Sequence, residues 1–173
     1  MQSSLTDTIN LWKFAAEGGW AAGELSLLNM PRLSALISAR DGVVSVFLQA
    51  GVDEQGTRFI TGHLEVSLEV ICQRCMEPMR MPLELDFQLG LIMSEKQSTT
   101  LSDNYEPLVA AGSETSIYAV IEDEIILGLP FAPMCDDPNQ CQNYVPVASE
   151  VEVGKTNPFA SLAMLLKDSK TVE

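Results

Sequence analysis

Four cysteines carry the clearest chemistry in this chain: Cys72 and Cys75 in Cys72-Gln73-Arg74-Cys75, then Cys135 and Cys141 some sixty residues later. Two residues between thiols let both sulfurs converge on one ion at about 2.3 Å, and a hairpin connection, or knuckle, is the usual scaffold. The second pair has five intervening residues, looser than the usual two to four. Together they read C-x2-C…C-x5-C, which is compatible with a closed, structural, tetrahedral Zn²⁺ site tying the knuckle to a distant stretch of chain. Arg74 and Arg80 would offset its excess negative charge. Two other readings stay open. One is a CxxC redox pair, although thioredoxin-like motifs open a helix after a strand and here a strand follows. The other is unliganded, partly buried thiols. Four Cys in 173 residues are too sparse for a secreted disulfide scaffold.

Little else in the sequence suggests catalysis. The sole histidine, His63, falls on the polar side of an expected strand, and no G-x-S-x-G elbow accompanies it. Phosphate-cradling loops of the G-x-x-x-x-G-K-[ST] or G-x-G-x-x-G kind are missing, so no nucleotide is expected. A four-cysteine zinc has no open coordination position. Glu122-Asp123-Glu124 could be drawn as metal ligands or acid/base groups, but such a triplet reads more simply as the wet face of a helix. The chain is therefore expected not to be an enzyme, with a thiol- or zinc-dependent enzyme as the alternative.

Charge limits the partners. There are 10 Lys+Arg against 24 Asp+Glu, a formal net charge of −14. Residues 97–154 contain no Lys or Arg and ten acids. Nucleic-acid affinity comes largely from basic side chains displacing counterions, so direct RNA binding is disfavoured. The counterpart of the acidic stretch would be a basic protein. Partner contact is expected at Glu122, Asp123, Glu124, Tyr105 and Glu106, with Tyr105, Leu108, Val109 and Tyr144 as candidate apolar anchors. The alternative is direct RNA binding by a local patch of Arg32, Arg40, Arg58, Arg74 and Arg80. The apolar stretch Ile125–Cys135 is about half a membrane span and is broken by Gly128, Pro130 and Pro133. Met1–Asn10 is polar without a positive charge, so the expected location is the cytoplasm.

The elements that would position these groups follow from periodicity. Thr8 is expected to cap a short helix through Ala16, ended by Gly18-Gly19. Trp20–Leu28 reads as extended, Leu33–Ile37 as a short apolar segment, and Val43–Gln49 as a strand whose unpaired edge would permit a dimer. Asp53–Gly56 supplies a turn. Thr57–Ile60 resumes the extended run, with an interruption at Gly62. Leu64, Val66, Leu68 and Val70 alternate with His63, Glu65, Ser67 and Glu69, the period of a half-buried strand. Met81, Leu83, Leu85, Phe87, Leu89 and Leu91 form a second such run. Ser94–Gly112 reads as an irregular loop, mobile over 97–112. Ser113 or Ser116 caps a helix bearing Ile117, Val120, Ile121 and Ile125, with Gly128 at its C-cap and Pro130 beyond. Residues 131–156 read as coil. Asn157-Pro158 opens a last helix with Phe159, Leu162, Ala163, Leu165 and Leu166 on its apolar face, before a frayed tail at 168–173. The expected fold is one α+β domain over 1–173: an antiparallel β-meander with a packed central helix, a C-terminal helix and the CxxC knuckle.

Several motifs occur in register. They are Cys72-Gln73-Arg74-Cys75 after an alternating strand, Tyr105-Glu106-Pro107, the helix Val120–Leu127 running into Leu129-Pro130, and Asn157-Pro158-Phe159-Ala160-Ser161-Leu162. In these motifs the chain closely resembles the bacterial YceD family of large ribosomal RNA accumulation proteins, from the Pro31-Arg32-Leu33 region to Leu166. The resemblance implies a cytosolic ribosome-biogenesis factor supporting synthesis, processing or stability of large-subunit ribosomal RNA. It also maps the family's cysteine positions onto Cys72, Cys75, Cys135 and Cys141. With the charge argument, it implies an indirect association with the RNA through a basic ribosomal protein, nuclease or assembly factor.

Overall fold

Alternation of apolar and polar residues builds the centre of the molecule, seen here in a computed structural model that describes residues 2–112 and 114–135. Strand β5 (Arg58–Ile71) runs antiparallel to β6 (Pro78–Ile92), with Leu64 opposite Leu85 and Val66 opposite Leu83. Leu64, Val66, Leu68 and Val70 are buried while Glu65 and Ser67 are exposed, as period two requires. β4 (Val43–Val52) pairs with the other side of β5, and β3 (Trp20–Ser26) with β4, both antiparallel. Two short strands add parallel pairings at the margins, β1 (Gln2–Ser4) on β3 and β7 (Glu106–Val109) on β6. The sheet order is β1-β3-β4-β5-β6-β7, and a small second sheet joins β2 (Thr8–Ile9) to β8 (Thr115–Ser116). This is a mixed α+β fold with a mostly antiparallel sheet. Val43–Gln49 is thus enclosed between β3 and β5 and offers no free edge. The described residues fall in one compact unit, Met1–Cys141. The helix expected from Asn157 and the tail after it lie outside the described residues.

One face of the sheet is covered. Helix α1 (Leu11–Ala16) places Leu11, Phe14 and Ala15 there, and α2 (Ile117–Gly128) adds Ile117, Val120, Ile121 and Ile125. The cap of α1 is Asn10, whose Oδ1 accepts from the Lys13 amide at 2.9 Å. Thr8, the expected cap, is taken up by pairing with Ser116 in β2. Gly18 ends the helix at φ +62°, with Gly19 donating to the Phe14 carbonyl at 3.0 Å, a left-handed termination that suits glycine. Ser116 caps α2 by accepting from the Ala119 amide.

Three local expectations give way to cross-strand or cross-helix packing. Gly62 does not interrupt β5. It sits opposite Phe87, whose ring lies 2.0 Å from where a Cβ would stand, so the missing side chain admits the ring. Gly128 is the last residue of α2 and Leu129 its cap, and a Cβ at Gly128 would collide with the Leu85 side chain. Ser94–Gly112 contains a 3-10 turn at Glu95–Thr100 and the strand β7, which carries Glu106 and Pro107.

A buried carboxylate joins α2 to the segment before β4. Glu122, expected on the wet face, is 4% exposed. Its Oε1 accepts from the backbone amides of Arg32 at 2.6 Å and Leu33 at 3.0 Å, and its Oε2 from Arg32 Nε at 3.0 Å. These amides open a 3-10 turn, Leu33–Ala35, that has no cap of its own, so Glu122 caps it from a distant helix. Arg32 also pairs with Asp123, where both side chains are about half exposed. Removing the buried acceptor leaves two amides unsatisfied, at a cost of about 1–3 kcal/mol. Glu122→Ala is therefore expected to lower stability in urea unfolding by about 2 kcal/mol, against less than about 1 kcal/mol for Asp123→Ala at the exposed pair. Equal losses would contradict the capping role.

Candidate functional site

The hairpin between β5 and β6 forms the expected knuckle. The Cys72 amide donates to the Glu77 carbonyl at 3.0 Å and the Met76 amide to the Cys72 carbonyl at 2.9 Å, which closes the turn. Met76 takes φ +60°, an uncommon conformation for a residue with a Cβ. The chain after α2 returns to this turn: the Gln73 amide donates to the Pro133 carbonyl at 2.8 Å, and the Arg74 guanidinium donates to the Cys135 carbonyl.

This brings the sulfurs of Cys72, Cys75 and Cys135 within 4.8 Å of one another, with Cys72 to Cys135 at 3.5 Å. A tetrahedral ion at about 2.3 Å from each thiolate needs sulfurs about 3.8 Å apart, so the three are placed as such an ion requires. No disulfide joins them. Cys72 is buried, and its Sγ accepts backbone N–H groups from Cys75, Cys135 and Arg74. The Cys75 amide is the largest influence. Opposed by burial and helped by the other two amides, it brings the thiol down to about 6, favouring the thiolate that a metal would bind. The donor set fits zinc in type and spacing. Cys141, the expected fourth ligand, lies outside the described residues.

A second feature opens between β6, α2 and the chain entering β7. It is a groove of about 680 Å³ bordered by Asp86, Asp103, Glu106 and Glu124, with Leu85, Phe87 and Leu127 among its apolar parts. None of its described lining residues is Lys or Arg. Of the five residues expected at a partner surface, Tyr105, Glu106 and Glu124 line this groove, Asp123 pairs with Arg32, and Glu122 is buried under the Arg32–Leu33 turn. Tyr105 stacks on Phe59 with ring centroids 5.6 Å apart, and burial and Asp53 raise its hydroxyl above the usual range. Leu108 packs on the core and Val109 is exposed, while Tyr144 lies outside the described residues. Asp103 belongs to the acidic stretch expected to meet the partner. Sequence reasoning missed Asp86, because only the packing of α2 and of the chain entering β7 against β6 brings it to the same groove as Glu124.

Three of the five arginines expected as a patch have separate engagements, while Arg40 and Arg80 are exposed. Arg32 holds Glu122 and Asp123, Arg58 lies 5.4 Å from the centre of the Trp12 ring, and Arg74 holds the Cys135 carbonyl. His63 sits on the open sheet face with Nδ1 2.8 Å from Asp86 and Nε2 3.3 Å from Glu65, and these carboxylates, Asp86 first, raise its pKa. His63, Glu65 and Glu84 form a second cluster of potential ligand atoms within 4.8 Å, on an exposed surface.

The family model described as Large ribosomal RNA subunit accumulation protein YceD matches residues 60–166. A Haemophilus influenzae protein named Large ribosomal RNA subunit accumulation protein YceD is 32% identical over 154 residues, covering 86% of this chain and 85% of its own. The chain belongs to the YceD family. The YceD match takes in most of β5, the knuckle, β6, β7 and α2, so both the thiol cluster and the groove fall inside it. The family's name denotes accumulation of a ribosomal RNA and no catalysed reaction. No solved structure matches the chain. Among the described residues no helix is long and apolar enough to cross a membrane.

The groove has a titratable wall. Burial, then Glu106 and Asp123, lift the Glu124 carboxyl from its ordinary 4.5 to about 7. The folded chain therefore binds more protons than the unfolded one between these values, and stability declines as pH rises through that window. Glu124→Gln, which mimics the neutral acid, is expected to exceed the parent in stability by about 1 kcal/mol above pH 7, allowing for solvent screening at this partly exposed group. The difference should vanish towards pH 4. A pH-independent difference in urea unfolding would contradict the assignment.

Proposed function

We propose that this protein is a ribosome-biogenesis factor that supports large-subunit ribosomal RNA by binding a basic protein partner, such as a ribosomal protein, a nuclease or an assembly factor. The family name supplies the ribosomal role, and the acidic groove supports the mode of action. Four carboxylates border a cleft that, among the described residues, no Lys or Arg lines, and it suits Lys or Arg of a partner. The same charge repels a polyphosphate at long range. A direct RNA patch is the weaker reading, since Arg32, Arg58 and Arg74 already serve three different internal partners. Depletion is expected to lower the ratio of large- to small-subunit ribosomal RNA in cells. The wild-type chain should restore it, and Glu106→Gln/Glu124→Gln should not. An unchanged ratio on depletion overturns the ribosomal role, and full rescue by the double variant overturns the groove.

The thiol cluster serves this function as a structural zinc site in the same reading, with Cys72, Cys75 and Cys135 as ligands and Cys141 as the fourth. Bound zinc would supply a closed cross-link between the β5–β6 turn and the chain leaving α2. Protein purified without chelator after zinc-replete expression should carry about one equivalent of zinc. Cys75→Ser should lose both the metal and much of the stability. Substantially less than one equivalent, or a Cys75→Ser variant of unchanged stability, would sink the structural assignment.

A further inference from the structure

The long strand β6 is only partly paired on its outer side. β7 covers it from Leu89 to Ile92 and, among the described residues, no chain pairs with the outer side of Pro78–Gln88. The phase of its backbone can be read from one hydrogen bond: the Ala110 amide donates to the Ile92 carbonyl at 2.8 Å on the β7 side. Backbone groups alternate sides along a strand, and the β5–β6 register runs without a break from Pro78 to Gly90. Residues 84, 86 and 88 therefore turn their N–H groups outward, into the lane below β7, and residues 84 and 86 their C=O groups as well. The register of β7 sets the Glu106 amide on the Gln88 carbonyl. Pro82 falls on the same phase, which fits a residue with no N–H to donate.

We propose that this lane, beside Glu84, Asp86 and Gln88, takes an extended basic segment of a protein partner as an added strand. It rests on the reading that the partner is basic, and says how that partner is held. The lane from Leu83 to Gln88 is about 20 Å long, room for five or six residues. The turn into β7 closes its upper end, and Pro82, which cannot donate, its lower end. An added strand would place alternate side chains on the two faces of the sheet. One set would face Glu84 and Asp86, the latter shared with His63. The other would enter the groove against Glu106, Glu124 and the exposed Leu127. A second copy of this chain is a poor occupant, because edge-to-edge pairing would set these carboxylates against each other. A basic segment meets both the unpaired amides and the charge.

The test uses the full chain and two capped hexapeptides of alternating Lys and Val, one plain and one N-methylated at every second amide. Binding is followed at low salt, with amide hydrogen exchange read at residues 84, 86 and 88. The plain peptide should bind and slow exchange at those amides at least tenfold, and the N-methylated form with its charge intact should bind at least tenfold more weakly. Gln88→Pro, which removes one outward donor without changing charge, should weaken the plain peptide while the β5–β6 ladder stays protected. Equal binding of both peptides with the three amides unprotected overturns strand addition and leaves the basic-partner reading standing. Failure of both peptides to bind overturns both. Amides already protected in the free protein show the edge to be covered by the chain itself, which also overturns the proposal.

Discussion

The buried carboxylate of Glu122 sets the arrangement on which both candidate sites depend. A carboxylate 4% exposed persists only if its oxygens are satisfied, and here two backbone amides and a guanidinium satisfy them. That requirement fixes the rotation of α2. With Glu122 turned towards the Arg32–Leu33 turn and Ile121 and Ile125 in the core, Glu124 is left beside Glu106 at the groove. The helix must also end where Gly128 meets Leu85, and from there Pro130–Cys135 reaches the thiols of the knuckle. One interaction thereby orients a helix whose two ends serve different sites.

The sites differ in how they use charge. At the knuckle, the backbone amides of Cys75, Cys135 and Arg74 gather around the Cys72 sulfur, which favours its thiolate and therefore a metal ion. At the groove, Asp86, Asp103, Glu106 and Glu124 gather with no Lys or Arg among the described lining residues, and Asp86 is shared with the neighbouring His63. Burial and neighbouring acids hold one of them partly protonated near neutral pH. Such a cluster is energetically incomplete until something positive arrives, whereas the thiol cluster can be completed by an ion and one further ligand. The first therefore suits a transient partner, the second a permanent cross-link.

Much of this was legible in the residues, and the failures share a cause. The runs Leu64–Val70 and Met81–Leu91 announced β5 and β6, because alternation reports burial on one face directly. Cys72 and Cys75 announced the knuckle, because their spacing is local. Gly62 and Gly128 read locally as a break and a cap, the usual roles of glycine. Their real partners, Phe87 and Leu85, are distant in sequence and close in space. Glu122 reads as water-facing with Asp123 and Glu124, since nothing in a charged triplet tells which member a remote arginine and two amides will claim. Strand β7 is four residues long with a proline in it, too short for periodicity to show. The placement of the free edge on β6, and its absence from β4, is a property of pairing order that composition does not carry.

In the proposed mode of action, this acidic YceD-family chain reaches ribosomal RNA through a basic protein held at its groove. The most direct measurement is photo-crosslinking in living cells from an aryl-ketone amino acid placed at Asn104, an exposed position on the groove rim. The account predicts adducts with a basic protein of the large subunit or its assembly pathway, with a mass unchanged by ribonuclease. Adducts to RNA that disappear on ribonuclease treatment would contradict it.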